Sequence, residues 1–329
     1  MRSVHRDPGG RGLASFLRDG RPLDDGDWPT AAHELASRAR HVAIVTGFCV
    51  VLPDRVTAET DGPPGALFLA QTLLELGVNV TVVTDRVALP VVKCGMRTMG
   101  IDRGRLLEFP AAATIGADEA TIDTWMDTFL GDVTHLIAIE RPGPSHTIAS
   151  LTAALGDTSP ALERFVREVP HEHHGRCHTM RGAIIDEHTA PVHRLFEAAG
   201  ARPNIATIGI GDGGNEIGMG RFGWEDVVAA IPSPVGPRIA CRTPTDLALV
   251  AGTSNWAAYG LALATAAQCG KRPTSRWLGP EGQRELIEQL VTAAGAVDGC
   301  TALSTPTVDG LSLDAFLQPL EELWSQLDA

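Results

Sequence analysis

The chain has 329 residues, 44% of them hydrophobic, which is enough for one large α/β domain or two smaller ones. Its formal net charge of −13 argues against nucleic acid or an anionic membrane as a partner. The chain has no apolar run near the roughly 18 residues of a membrane span and no signal-like N-terminus, and its six cysteines are scattered without a C-x-x-C pair. We therefore expect a cytoplasmic protein with reduced thiols.

The first 40 residues differ in character from the rest of the chain. Residues 1–27 are rich in glycine, arginine and aspartate, and we expect them to be irregular apart from a short helix near residues 13–18. A helix is predicted over residues 28–40, with Asp27 as its N-cap and Pro29 in its first turn. We therefore expect residues 1–40 to pack as a segment on a single domain of residues 41–329.

Beyond residue 40, short apolar runs alternate with longer amphipathic ones. Strands are predicted at residues 41–47, 78–84, 106–109, 135–139 and 205–210, with a further strand at 238–242. Helices are predicted at residues 63–76, 88–99, 118–130, 191–200, 282–294 and 313–327, and between 253 and 268, while residues 247–251 could form either element. This alternation predicts an α/β fold with a largely parallel sheet and helices on both faces, a three-layer α/β/α arrangement.

A glycine-rich loop follows the strand at 205–210, in the sequence IATIGIGDGGNEIGMG. Gly209, Gly211 and Gly214 match the G-x-G-x-x-G dinucleotide fingerprint. However, Gly218 and Gly220 interrupt the helix that this fingerprint requires, and no acid stands about 20 residues further on. We therefore expect no nicotinamide, flavin or nucleotide cofactor, and interpret the loop as a site built from backbone that only glycine tolerates.

Acidic residues follow several predicted strands directly or within a few residues. The carboxyl ends of parallel strands share one edge, so these side chains should converge and could bind a divalent metal such as Mg²⁺ or Mn²⁺. Compensation by Arg141 or Arg181, or protonation of one acid, would serve equally well. The candidate metal ligands are Asp85, Glu140, Asp212 and Glu216.

Two further polar clusters lie at predicted helix starts. In ETDGPPGA (residues 59–66), Asp61, Gly62 and two prolines can begin a helix whose exposed N–H groups would bind an anion, although plain capping by Asp61 explains the pattern as well. Ser254 and Asn255 are explained equally well by helix capping and by ligand contact.

The tract PHEHHGRCH at residues 170–178 is rich in side chains that bind metals. Its spacing matches no zinc pattern, and solvated histidine-rich loops are common. We therefore favour a solvated loop over a metal site. The potential ligands are His171, His173, His174, Cys177 and His178.

Several motifs together resemble the D-glutamate cyclase family. They are ETDGPPGA, IERPGP (139–144), MRG (180–182), GIGDGGNEIGMG (209–220), AGTSNW (251–256) and GAVDGCT (295–301), with RGL near Arg11. They occur in the family's order and cover nearly the whole chain. The resemblance implies a lyase that converts D-glutamate to 5-oxo-D-proline and water by attack of the α-amine on the γ-carboxyl group.

This implied reaction suggests roles for the polar residues. Asp212, Glu216 and Glu140 would bind a metal or transfer protons, Asn215 would orient the substrate, and Arg141 would bind a substrate carboxylate. The expected partner is an acidic amino acid, and a homo-oligomer is left open. The substrate-binding candidates are Arg141, Glu59, Thr60, Asp61, Gly62, Gly213, Gly214, Arg181, Ser254 and Asn255.

Two other functional classes fit the same acids. A metal-dependent phosphatase or other small-molecule hydrolase could use them, although the chain lacks the P-loop motif of NTPases. A non-catalytic amino-acid sensor could also bind there without turning its ligand over.

Overall fold

A computed structural model describes residues 4–7, 16–18, 21–101, 105–110, 118–231 and 233–328. The strands are β1 Leu17–Arg18, β2 Arg21–Pro22, β3 His41–Thr46, β4 Cys49–Val51, β5 Val56–Ala58, β6 Asn79–Thr84, β7 Leu106–Glu108, β8 His135–Ile139, β9 Ala206–Gly211, β10 Leu247–Val250, β11 Thr307–Val308 and β12 Leu311–Ser312. The helices are α1 Asp27–Arg38, α2 Pro63–Glu75, α3 Leu89–Met99, α4 Glu119–Leu130, α5 Ile148–Leu155, α6 Pro160–Glu168, α7 His193–Gly200, α8 Trp224–Ala230, α9 Gly236–Ile239, α10 Ser254–Gln268, α11 Pro280–Ala294 and α12 Leu313–Ser325.

Six strands form one parallel sheet in the order β10-β9-β8-β3-β6-β7. In chain order, β3, β6 and β7 therefore lie successively toward one edge of the sheet, and β8, β9 and β10 lie successively toward the other edge. This is the doubly wound order, whose topological switch point lies between β3 and β8. The predicted parallel three-layer fold is confirmed.

Both faces of the sheet are buried, which explains why its strands are apolar at consecutive positions. Val42 and Ile44 pack into the core layer that contains α1, α2 and α10. Ala43 and Val45 point to the opposite face and pack with α4 and α7. Trp28 of α1 belongs to the first of these layers, so the N-terminal helix contributes to the main core.

Some predicted elements differ from the structure. Residues 238–242 are not a strand, because Gly236 and Pro237 begin a short helix at that point and proline cannot donate to a sheet ladder. Residues 247–250 form strand β10, which settles the open choice there. The helix predicted near residues 13–18 lies partly outside the described residues, and Leu17–Arg18 within them is a strand.

The expected N-cap of the first helix is also wrong. Gly26, with a φ of 92°, precedes the helix, and Asp27 is its first residue. The Asp27 carboxylate instead pairs with Arg221 at 2.7 Å and accepts the Ala248 N–H at 3.0 Å. Asp27 therefore ties the N-terminal helix to the edge strand β10.

The fingerprint interpretation rejected from the sequence has no support in the structure. Loop and turn residues extend from Asp212 to Gly223 before α8 begins at Trp224. No helix therefore begins at Gly214 to receive a pyrophosphate. Across the described part of the chain, none of the helices combines the length and apolar character needed to cross a bilayer.

Candidate active site

The site lies at the carboxyl edge of the sheet, next to the switch point. Glu140 is the first residue after β8, and Asp212 is the first residue after β9. Both side chains are buried, and the Glu140 backbone has a φ of 44°, a left-handed conformation that is uncommon outside glycine. Strained residues of this kind concentrate at functional sites.

Three buried carboxylates meet at this edge. Glu140, Asp212 and Glu216 each place one carboxylate oxygen within 4.8 Å of the others, and we call this group the carboxylate cluster. Asp212 also belongs to a second group of three, with Asp61 and Asp309. The predicted convergence of acids from β8, β9 and the glycine loop is thus seen in the structure.

The environment of Glu140 disfavours its charged form. Burial raises the pKa of Glu140 well above its ordinary value, and the negative charges of Asp212 and Glu216 raise it further. The Ser254 hydroxyl donates a 2.6 Å hydrogen bond to Glu140 Oε2. Repulsion within the carboxylate cluster therefore has to be relieved by a proton or a cation.

Glycine geometry explains how Glu216 is held. The N–H groups of Gly213 and Gly214 donate to Glu216 Oε1 at 2.9 Å and to Oε2 at 2.8 Å. A Cβ on Gly211 or Gly213 would lie within 2.8 Å of a Glu216 oxygen, and Gly214 has a φ of 96°. The glycine loop is therefore a backbone cradle for a carboxylate of the chain itself.

Asn215 is fully buried beside this cradle. Its Nδ2 donates to the His178 carbonyl at 2.7 Å, which identifies the opposite atom as Oδ1. Oδ1 has no hydrogen-bond partner. A Cβ on Gly213 would lie 3.1 Å from this oxygen and 2.8 Å from Glu216 Oε1, so both oxygens border the same small space.

Asp61 and Asn255 cap each other's helices. The Asp61 carboxylate accepts the N–H groups of Ser254 at 2.8 Å and Asn255 at 2.9 Å, at the start of α10. Asn255 Oδ1 accepts the N–H groups of Gly62 at 3.1 Å and Gly65 at 2.7 Å, at the start of α2. Capping was an alternative for both residues, but each caps the partner helix rather than its own.

The cap of α10 is Thr253, whose hydroxyl accepts the Trp256 N–H. This leaves Ser254 to contact Glu140, as described above. Two helix N-termini, those of α2 and α10, therefore point toward the buried acids, and their partial positive charge favours carboxylates there.

Asp85 and Arg141 lie apart from the carboxylate cluster. They form a buried ion pair of 2.6 Å, and Arg141 also donates to the carbonyls of Gly47 at 2.8 Å and Ala190 at 2.9 Å. Asp85 accepts the N–H groups of residues 87 and 88 ahead of α3. Asp85 belongs to neither group of potential metal ligands found among the described residues, and Arg141 is bonded to Asp85 and to two backbone carbonyls.

A cavity of about 620 Å³ lies beside the carboxylate cluster, whose Glu140 lines its wall, and this volume suits a small molecule. Its wall includes three acids, Glu59, Glu140 and Asp309, and the cationic side chain of Arg181. Arg181 is exposed and donates to the Cys300 carbonyl at 2.8 Å. Phe48, Met180 and Ile185 supply apolar surface to the same cavity.

The remaining substrate-binding candidates support this wall. Thr60 is fully buried and donates to the Thr307 carbonyl at 2.7 Å. Gly62 has a φ of 94°, and a Cβ there would lie 2.7 Å from Glu140 Cβ. A Cβ on Gly299 would overlap Glu59 Oε2, so glycine is required for Glu59 to face the cavity.

Sequence reasoning missed Asp309. It lies with Gly310 in the two-residue turn between β11 and β12, with φ values of 53° and 78°. An Asp-Gly pair predicts such a hairpin turn, and this signal was available in the sequence. The turn alone does not indicate that the side chain faces a distant cluster, because that depends on how the hairpin packs.

The histidine tract contacts the site through its backbone, since the His178 carbonyl accepts the Asn215 Nδ2 bond, while its rings contact one another or other backbone groups. His173 and His178 contact each other through ring nitrogens at 3.0 Å, and His174 contacts the Val169 carbonyl. Burial lowers the pKa of His178 to about 4, so it is neutral at ordinary pH. Two groups of side chains among the described residues could hold a metal ion, and neither of them includes a histidine.

Comparisons with known proteins place these observations in a family. The family described as "D-glutamate cyclase-like, C-terminal" matches residues 1–157 and 161–324. Over 265 residues, the chain is 31% identical to a human protein named "D-glutamate cyclase, mitochondrial", a match that covers 78% of this chain and 36% of that protein. The chain therefore spans about a third of the length of this relative. Because the family matches nearly the whole length of this chain, the chain belongs to the D-glutamate cyclase-like C-terminal family.

Proposed function

We propose that this chain catalyses the cyclisation of D-glutamate to 5-oxo-D-proline with release of water, as a hydro-lyase. The observation that carries the proposal is a cavity with both kinds of charge that glutamate requires. Its wall offers carboxylates to the ammonium group and Arg181 to a carboxylate. Membership of the D-glutamate cyclase-like family and the name of the human relative support the same reaction.

The reaction needs no net supply of protons, because the amine of the substrate provides both hydrogens of the released water. The α-amine must lose a proton before its lone pair can attack the γ-carbon. As the N–C bond forms, one γ-oxygen leaves, and the nitrogen gives up a second proton to become the lactam N–H. The two protons that leave the nitrogen are the two hydrogens of the released water, so the protein has only to transfer them.

Glu59 is the proposed proton acceptor for the amine. It lines the cavity and belongs to neither group of clustered carboxylates found among the described residues. Gly299 leaves space for its carboxylate to face the cavity. A positioned general base of this kind typically contributes about 10²–10⁴-fold to a rate.

Arg181 is the proposed partner of the α-carboxylate. Its guanidinium lies on the cavity wall and is exposed, whereas Arg141 is engaged by Asp85 and two carbonyls. An arginine binds a carboxylate through two parallel hydrogen bonds, which would fix the amino acid in one orientation. Binding of the amine at Glu59 and of the α-carboxylate at Arg181 would fix the α-carbon in one orientation, and ring closure is a step that benefits from such orientation.

Proton NMR tests this proposal. Purified protein is incubated with D-glutamate, with L-glutamate in parallel, and the signals of the 5-oxoproline ring are followed with and without Mg²⁺ or Mn²⁺. Product from the D-isomer alone is expected, and Glu59→Gln should lower turnover by at least about 100-fold. The matched control is Glu288→Gln, at an exposed position of α11 that does not line the cavity, which should retain wild-type turnover.

The same experiment separates the hydrolase alternative, which the two carboxylate groups sharing Asp212 also suit. A simple phosphate ester is added in place of glutamate under the same metal conditions. Phosphate release without any 5-oxoproline from D-glutamate would overturn the cyclase proposal in favour of a metal-dependent phosphatase.

A further inference from the structure

We propose that the carboxylate cluster and Asn215 Oδ1 together form a binding site for one divalent cation, Mg²⁺ or Mn²⁺. This deepens the proposed function by naming a cofactor for the same cavity. The site differs from the one expected from sequence, because Asp85 is replaced by an amide oxygen from the glycine loop.

The proposed donors are three buried carboxylates and one buried amide oxygen. Oxygen atoms from Glu140, Asp212 and Glu216 lie within 4.8 Å of one another, a spacing that lets one ion touch all three. All three residues are at least 95% buried. Carboxylate and amide oxygens without thiolate or imidazole are the donors preferred by hard cations rather than by zinc.

Asn215 carries a buried amide oxygen that lacks a hydrogen-bond partner. This side chain is 0% exposed, and its Oδ1 is buried without a hydrogen bond, which is costly for an amide oxygen. The bond from Nδ2 to His178 prevents the amide from turning over. Oδ1 borders the same space as Glu216 Oε1, beside Gly213, so a cation there would supply the missing partner.

Hydrogen bonds from the protein orient two of the proposed ligands. Ser254 donates to Glu140 Oε2, and two backbone N–H groups of the loop hold the Glu216 carboxylate. Such outer contacts fix ligating carboxylates in functional metal sites. The glycines at 211 and 213 leave the space around Glu216 open, since a Cβ at either position would crowd its oxygens.

The second group of acids is a poorer candidate. Asp61 accepts three backbone N–H groups, from Gly62, Ser254 and Asn255, and this capping role accounts for its burial. Glu140, in contrast, lies on the cavity wall as well as in the cluster. A divalent cation bound to the carboxylate cluster would offset two of its negative charges and would polarise a carboxyl oxygen of a bound amino acid.

Isothermal titration calorimetry with MnCl₂ and MgCl₂, on the 329-residue chain treated with EDTA, tests the site. We expect one Mn²⁺ per chain. Asp212→Asn should weaken binding by at least about 100-fold, whereas Asp157→Asn, with the same charge change at an exposed position, should leave it unchanged. If Asp212→Asn does not fold, Glu140→Gln is the alternative variant, because it also removes the charge of one proposed ligand.

Asn215 is tested by two substitutions. Asn215→Ala removes Oδ1 and Nδ2, whereas Asn215→Asp keeps the oxygen and loses the bond to His178. A ligand role predicts that alanine weakens Mn²⁺ binding about 10- to 100-fold and that aspartate retains it. Equal losses in both variants would show that Asn215 acts only through His178.

Two results would overturn the proposal: no Mn²⁺ uptake by the wild-type protein up to about 1 mM, or equal affinity in Asp212→Asn and Asp157→Asn. The metal site and the cyclase function can be refuted independently of each other. Mn²⁺ binding without product from D-glutamate would refute the cyclase function alone. Full turnover in protein that binds no cation would refute the metal site alone.

Discussion

Asn255 connects the N-termini of two core helices, and its replacement by alanine should destabilise the fold. The side chain is fully buried, accepts the N–H groups of Gly62 and Gly65, and donates to the Thr60 carbonyl at 3.1 Å. Alanine leaves one donor, the Gly65 N–H, and one acceptor, the Thr60 carbonyl, buried without partners, because the Gly62 N–H keeps its bond to Asp61. At about 1–3 kcal/mol for each unpaired group, the expected loss is at least about 2 kcal/mol.

Thermal unfolding followed by circular dichroism measures this loss. An unfolding entropy of about 2.1 cal/mol/K per residue gives on the order of 0.7 kcal/mol/K for a chain of this size, so Tm should fall by about 3 °C or more. The control is Asn204→Ala, at an exposed turn, which should change stability by no more than about 0.5 kcal/mol. Equal Tm values for the two variants would refute the cross-capping argument.

The same reasoning predicts coupling between the two caps. Asp61→Ala removes the reciprocal contacts at the start of α10, so the losses from Asp61→Ala and Asn255→Ala should not add in the double variant. Strict additivity would mean that the two helix starts are stabilised independently.

Three further predictions concern the cavity and the buried histidines. Arg181→Lys should raise KM for D-glutamate about tenfold with little change in kcat, because lysine cannot bind a carboxylate through two parallel bonds; an unchanged KM would contradict the assignment. Gly299→Ala should reduce turnover by displacing Glu59, with Tm as the check that the fold persists, and wild-type turnover would show that Glu59 need not occupy this position. Burial lowers the pKa values of His135 and His193 from 6.5 to about 4, so both are neutral in the fold while the unfolded chain takes up protons as pH falls through 6.5. Stability should therefore fall between pH 6.5 and about 4, and a urea midpoint that rose over this range would contradict the argument.

Much of the candidate site was predicted from chain position alone. Glu140 and Asp212 were identified because each directly follows an apolar run, and parallel strands bring such positions to one edge. Asp85 satisfies the same rule, yet it pairs with Arg141 instead. A position at a strand end does not specify the side-chain direction or its nearest cation, so the rule admits both outcomes.

Residues that act through distant partners could not be assigned in this way. Asp61 and Asn255 are 194 positions apart, and each has the composition of an ordinary local cap. Asp309 reaches the acids from a hairpin turn near the C-terminus. Their roles depend on which helices and hairpins pack together, a choice made by the whole core.

The sequence by itself determined the alternation of strands and helices, the burial of both sheet faces and the edge at which the acids gather. Each of these follows from local periodicity and from the geometry of parallel strands. The tertiary structure alone decided which carboxylates share a cluster, which arginine faces the cavity and which helix each cap serves. These outcomes depend on contacts between residues far apart in the chain, and the energy of a buried charge is set by the neighbours that such contacts bring to it.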